Sequence, residues 1–139
     1  MIHATCVALG GGGVLLTGPA GSGKSEIALQ LIEGGGVLVS DDQTELSLEN
    51  GVLTATAPAA LAGLIEMRHV GLLRLLTVTS APVVLYVRLV DFDEPLERLP
   101  ARLFHAFLGF PVRALSLPGH AASTPTKIRL ALSGSFEDV

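Results

Sequence analysis

Glycines, a lysine and a hydroxyl, the groups that handle phosphate, stand together in Gly18-Pro19-Ala20-Gly21-Ser22-Gly23-Lys24-Ser25. The stretch fits G-x-x-x-x-G-K-[ST], a phosphate-binding loop, and lies between an apolar run (Val14 to Leu16) and a helix-like run (Glu26 to Glu33). That strand-to-helix context is what the motif requires. Gly18, Gly21 and Gly23 let the backbone take turns closed to other residues and turn its N–H groups toward phosphate oxygens, at the positive end of the following helix. Lys24 would reach the outer phosphates, and the Ser25 hydroxyl would ligate Mg²⁺. Asp41 and Asp42 follow the short apolar run Val37 to Ser40. In an open α/β sheet the C-terminal ends of the strands carry the ligand, so acids placed there face the phosphates. A pair of surface aspartates opening a turn is the other reading of the same residues.

The elements that must position these groups can be read along the chain. Ile2 to Leu9 and Val14 to Thr17 read as two strands joined by Gly10 to Gly13, leading into the phosphate loop. A helix from about Lys24 to Glu33 carries Ile27, Leu31 and Ile32 on one stripe, and Gly34-Gly35-Gly36 ends it. Val37 to Ser40 is a short strand, and Thr44 to Leu48 with Val52 to Thr56 forms a hairpin around Asn50-Gly51. Ala59 to Gly63 suggests a helical turn. Leu64 to Leu75 is a strand-like apolar run interrupted by Glu66, Arg68, His69 and Arg74. Val83 to Val90 is the clearest buried strand. Asp93 to Pro100 reads as a loop with a helical turn, and Ala101 to Phe110, with three of the five phenylalanines, as a small helix packing on the core or on a partner. Val112 to Leu117 is a last strand and Ala122 to Leu132 a terminal amphipathic helix.

Composition narrows the function classes. The chain has 139 residues, 49% of them apolar and 16% charged, which predicts one globular domain over 1–139. Leu75 to Val87 is the longest apolar candidate for a membrane span, but polar residues and Pro82 interrupt it and it is too short to cross. No basic stretch followed by a long apolar run opens the chain, so a cytoplasmic protein with no membrane partner is expected. One cysteine, Cys6, allows neither an internal disulfide framework nor a cysteine-based zinc site, and reads as a small buried strand residue. The formal charge of −4 argues against nucleic acid as the main partner.

Taken together, these landmarks resemble one family. His3 before two strands and the phosphate loop, Ser25-Glu26-Ile27-Ala28-Leu29, Val39-Ser40-Asp41-Asp42 with Glu45 after it, Ile65-Glu66-Met67-Arg68, Asp93 to Leu99 and Pro111-Val112-Arg113 are similar to the C-terminal catalytic domain of bacterial HPr kinase/phosphorylase, in its short proteobacterial form. The resemblance implies an α/β fold of the HPr kinase/PEP carboxykinase type, a P-loop kinase domain with a central mixed sheet and flanking helices. It implies an ATP-dependent (or pyrophosphate-dependent) and Mg²⁺-dependent protein serine kinase acting on an HPr-type phosphocarrier protein, with phosphorolysis as the reverse reaction and a homo-oligomer as a further expectation. By the same resemblance Asp41 accepts the serine proton, with Asp42 adjacent and His3 beside it. Glu66 with Ser25 holds Mg²⁺, and Arg68 belongs to the site. Arg98, and more weakly Arg113, neutralise the transferring phosphate. His69 stands where the family signature has glycine, a departure that bears on the reverse reaction.

Without the resemblance, His3 reads as structural, and Glu66 with Arg68 as a surface ion pair. Two other functions then stay open. One is a P-loop kinase of a small molecule, with the phenylalanine-rich stretch closing over its pocket. The other is a non-catalytic module that senses nucleotide.

Overall fold

A computed structural model describes residues 1–134, 136 and 137. Two strands, β1 (Thr5–Leu9) and β2 (Gly12–Thr17), form a tight antiparallel hairpin, and helix α1 (Lys24–Glu33) follows the phosphate loop. Strand β3 (Val37–Ser40) returns beside β1. The hairpin of β4 (Glu45–Glu49) and β5 (Val52–Thr56) turns at Asn50-Gly51, both with positive φ. A 3-10 turn at Ala59–Leu61 leads to a second hairpin, β6 (Leu64–Met67) and β7 (Gly71–Arg74). The long strand β8 (Ser80–Val90) is followed by β9 (Leu103–Phe107), β10 (Phe110–Pro118) and helix α2 (Thr124–Ser133).

The main sheet runs β3-β1-β2-β8-β10-β9, with the β4–β5 hairpin attached through β5 to the start of β8. Strands β2, β8 and β10 are mutually parallel, and β3, antiparallel to β1, runs in the same direction as they do. Four strands therefore end at one edge, at Thr17, Ser40, Val90 and Pro118. This is the edge at which an open sheet binds its ligand. The mixed α/β fold expected from the sequence is the fold observed.

Alternate residues of the strands supply two cores. Val7, Val14, Leu16, Leu38, Leu85, Val87 and Leu89 face the helices and pack with Ile27, Ala28, Leu31 and Ile128. Cys6, Leu15, Val39 and Val83 face the other way and pack with Leu53, Ala55 and Val112. The strict change of side between Val14, Leu15 and Leu16 is the two-residue period of a strand buried on both faces. No helix among the described residues is long and apolar enough to cross a membrane.

Three stretches differ from expectation. Ala101 to Phe110 is not a helix: Leu103–Phe107 is the edge strand β9, paired antiparallel with β10. Leu108 and Gly109, at φ 52° and 78°, make the two-residue turn that such a hairpin needs. Phe104, His105 and Phe107 suit a pleated surface, and Tyr86 meets His105 and Phe107 at 5.2 Å between ring centroids. The run Leu64 to Leu75 is not one strand but the β6–β7 hairpin, reversed at His69 with φ 68°. The segment Asp93 to Pro100 has turns and bends but no helical turn.

Candidate active site

The phosphate loop leaves β2 after Thr17 and becomes α1 at Lys24. Gly21 (φ 80°) and Gly23 (φ 101°) hold the left-handed conformations that bend the chain there, and the Gly23 carbonyl accepts the first helical bond, from Ile27 N–H at 2.9 Å. The first amides of α1 have no partner within the helix and are offered to an anion. The Lys24 side chain folds back over the loop, donating to the Gly18 carbonyl at 3.0 Å. Its Nζ lies 3.4 Å from Asp42 Oδ1.

The acid pair is held against this loop. Asp41 Oδ1 accepts hydrogen bonds from Ser25 Oγ and from Thr5 Oγ1, each at 2.9 Å. The Asp42 amide donates to the same Thr5 oxygen at 3.0 Å, and Asp42 takes a left-handed backbone (φ 64°). This conformation is tolerated by aspartate better than by most residues. It turns the two carboxylates to different partners, Asp41 to Ser25 and Asp42 to Lys24. Strand β1 supplies Thr5 because, running opposite to β3, it starts at the edge where β3 ends.

Glu66 stands on β6, whose Ile65 is buried in the helix-side core. The Glu66 amide makes a long 3.5 Å contact with Asp41 Oδ2, so the hairpin reaches the carboxylate oxygen that Thr5 does not. The Glu66 carboxylate and Arg68, which opens the β6–β7 turn, are exposed. His3 is exposed in the bend before β1, two residues from Thr5. The bend is fixed by paired hydrogen bonds between Ile2 and Thr44, at 2.9 and 3.0 Å.

Arg98 is exposed on the loop of residues 91–102, which leaves β8 at the ligand edge and is tied back by Arg88 to Glu94 at 3.0 Å. Arg113 does not belong to the site. It pairs in register with Leu85, level with Val14, and its guanidinium lies 4.3 Å from the Phe136 ring. Five residues of strand, about 17 Å, separate it from the end of β10 where the ligand edge lies.

The donor set can be tested against Mg²⁺. A serine hydroxyl and a carboxylate oxygen 2.9 Å apart are hard oxygen donors. Magnesium is usually held by one or two carboxylates together with substrate phosphates rather than by an all-protein cage. Ser25 with Asp41 meets that description, and Glu66 lies within reach of the same carboxylate by its backbone.

Residues that sequence reasoning did not single out also take part. Thr5 bridges both aspartates, and Tyr86 accepts a hydrogen bond from Thr17, just before the loop, at 2.9 Å. His120 lies at the end of β10 with Nε2 2.8 Å from the Gly21 carbonyl oxygen. The sequence carried no signal for His120, because its place depends on β10 running parallel to β8 and β2, which brings the residues after the strand to the phosphate loop.

Comparison with known proteins identifies relatives of the chain. Residues 1–124 match the family model of the HPr serine kinase C-terminal domain. The HPr kinase/phosphorylase of Bordetella pertussis is 39% identical over 127 residues, and that of Clostridium kluyveri 33% identical over 127 residues. Each alignment covers 84% of this chain and 41% of the relative, so the chain spans about two fifths of the length of these curated relatives. The solved structure of the Hpr(Ser) kinase/phosphatase from Coxiella burnetii superposes with a TM-score of 0.83 at 31% identity, covering 94% of this chain and 87% of that one. The chain belongs to the HPr serine kinase C-terminal domain family.

Proposed function

We propose that this chain is the catalytic domain of a protein serine kinase that transfers the γ-phosphoryl group of ATP to a serine of an HPr-type phosphocarrier protein in the cytoplasm. The observation that carries the reading is the interlock of the phosphate loop with the acid pair, Ser25 to Asp41 at 2.9 Å and Lys24 to Asp42 at 3.4 Å. The relatives' names, HPr kinase/phosphorylase, support the acceptor.

Phosphoryl transfer asks the protein mainly for positioning and charge neutralisation. The amides of Gly21 and of Gly23 to Ser25 cradle the β-phosphate, the Ser22 amide being held by the Pro19 carbonyl, and Lys24 exchanges its contact with Asp42 for the γ-phosphate. Mg²⁺, when bound through Ser25 and Asp41 or Glu66, neutralises charge on the phosphate oxygens. Asp41 accepts the proton of the attacking serine hydroxyl through Oδ2, since Oδ1 is committed to Ser25 and Thr5. Asp42 and His3 flank it, and Arg68 and Arg98 offer cations to the transferring group from exposed turns. Phosphorolysis of the phosphoserine, in which inorganic phosphate attacks the phosphorus, the serine hydroxyl leaves and pyrophosphate forms, would run through the same groups, and its reverse makes pyrophosphate an alternative donor.

The phenylalanine-rich stretch that would close over a small substrate is instead edge strand β9, which removes the feature favouring a small-molecule kinase. Incubating the chain with Mg²⁺, ATP and an HPr-type carrier should yield one phosphoserine, located by mass spectrometry. Asp41→Asn should lower the rate by about 10²- to 10⁴-fold, the range for loss of a general base, while nucleotide binding survives. An Asp41→Asn protein working at the parental rate would remove Asp41 from the role.

A further inference from the structure

Four loops meet at the ligand edge, and the mechanism above draws on three of them. The fourth, between β10 and α2, is pressed against the phosphate loop from outside. Gly119 N–H donates to the Val90 carbonyl at 3.0 Å, and Thr124 Oγ1 closes the loop on the Pro118 carbonyl at 2.6 Å. The two glycine backbones interlock. A Cβ on residue 23 would stand 2.6 Å from the Gly119 carbonyl oxygen, and a Cβ on residue 119 would run into the Ser22 carbonyl. His120 then places Nε2 2.8 Å from the Gly21 carbonyl oxygen, across 99 residues of sequence.

A phosphate nest works when its N–H groups point inward and its carbonyls outward. A glycine-rich loop is free to rotate its peptide planes, and each wrong rotation turns a carbonyl dipole toward the anion. Here the Gly21–Ser22 peptide is fixed at both ends. Its N–H donates to the Pro19 carbonyl at 3.0 Å, and its oxygen faces His120. Because a carbonyl oxygen can only accept, Nε2 of His120 carries the hydrogen in this contact.

We propose that His120 is a positioning residue of the phosphate site, donating through Nε2–H to the Gly21 carbonyl and so holding the loop in its phosphate-accepting shape before the ligand arrives. It touches no phosphate itself. The inference rests on Gly18 to Ser25 being a phosphate site, and it deepens that reading by making the affinity of the loop depend on an element a hundred residues away.

The test is calorimetric titration of Mg·ATP, and separately of Mg·pyrophosphate, into the wild-type chain and the His120→Ala, His120→Gln and His120→Asn variants. The alanine variant should bind about tenfold more weakly, the size of one hydrogen bond. Glutamine, whose amide nitrogen reaches as far as Nε2, should restore affinity to within about threefold of wild type. Asparagine, which reaches only as far as Nδ1, should not. Because His120 is exposed, melting temperatures without ligand should match wild type. If one variant melts lower, the glutamine–asparagine comparison decides, since a merely structural loss would not follow donor reach. Alanine binding as tightly as wild type, or asparagine rescuing as well as glutamine, overturns the proposal. A wild type that binds Mg·ATP with this pattern yet phosphorylates no carrier protein removes the kinase reading and leaves His120 in place. A wild type that binds neither compound overturns both.

Discussion

Cys6 sits fully buried on β1 among Leu15, Val39 and Val83, and burial alone pushes its thiol up to about 12 from 9.0. The thiolate is the reactive form, so Cys6 should resist alkylation by iodoacetamide at pH 8 in the native protein and react promptly in 6 M guanidinium. The linkage follows in sign. The folded state keeps its proton above pH 9 where the unfolded chain loses it, so this group's contribution to stability is complete below pH 9 and falls away as pH rises toward 12. A native thiol that titrates near 9 by ultraviolet absorbance would contradict the burial. At this scale, the residues legible in the sequence were those whose types carry chemistry in a known spacing, Lys24, Ser25 and Asp41 above all. Thr5 was not legible. Its role depends on β1 running antiparallel to β3, which a threonine in a strand does not announce. Arg113 misled for the converse reason, because a basic residue beside a matching tripeptide says nothing about which end of its strand faces the ligand.

Elements were legible where backbone chemistry is written in side chains. Helix α1 and strand β3 have the bounds the sequence suggests, because glycines bracket the helix and Gly36 and the Asp41-Asp42 turn bracket the strand. The β4–β5 hairpin was equally clear from Asn50-Gly51. The β9–β10 hairpin was not, since Leu108-Gly109 puts a leucine where asparagine, aspartate or glycine is usual, at φ 52°. Leu108 is also 59% exposed, so packing does not explain its presence there. The β6–β7 turn has the same character. His69 holds φ 68°, and this accounts physically for the glycine that the family signature carries at that position. Histidine enters the left-handed region more readily than most residues but still with strain. His69 is exposed in a turn, so His69→Gly removes strain without opening a cavity. Its gain is partly offset by the greater freedom of glycine in the unfolded chain. The expected result is a stability increase of up to about 1 kcal/mol in urea denaturation with an unchanged m-value. A loss of stability would mean that the His69 side chain makes a stabilising contact. Because the hairpin also brings the Glu66 amide to Asp41, the variant tests whether the turn is held in one shape for the site.

The whole molecule is a sheet with its chemistry gathered on one edge, and the reason is directional. Strands β2, β3, β8 and β10 run the same way and deliver four loops to that edge, while antiparallel β1 starts there and contributes Thr5 and the bend with His3. The loops are linked to one another as well as to the sheet. Ser25 and Lys24 meet Asp41 and Asp42, Gly119 bonds to the end of β8, and His120 meets Gly21. A ligand held by the phosphate loop should therefore stabilise the sheet as a unit rather than one loop. A ligand that binds only the folded state at 100 times its dissociation constant adds about 2.7 kcal/mol. For a domain of this size that is a rise in melting temperature on the order of 10 °C. Mg·ATP at such a concentration should produce this shift in one cooperative transition, read by circular dichroism. Lys24→Ala should lose most of the shift, because it removes the cation at the outer phosphates, while its ligand-free melting temperature falls by less than the lost shift, since the ammonium's partners are one exposed carboxylate and the Gly18 carbonyl. Two separated transitions in the presence of Mg·ATP would show that the loops bind as independent parts, and the edge would then not act as one site.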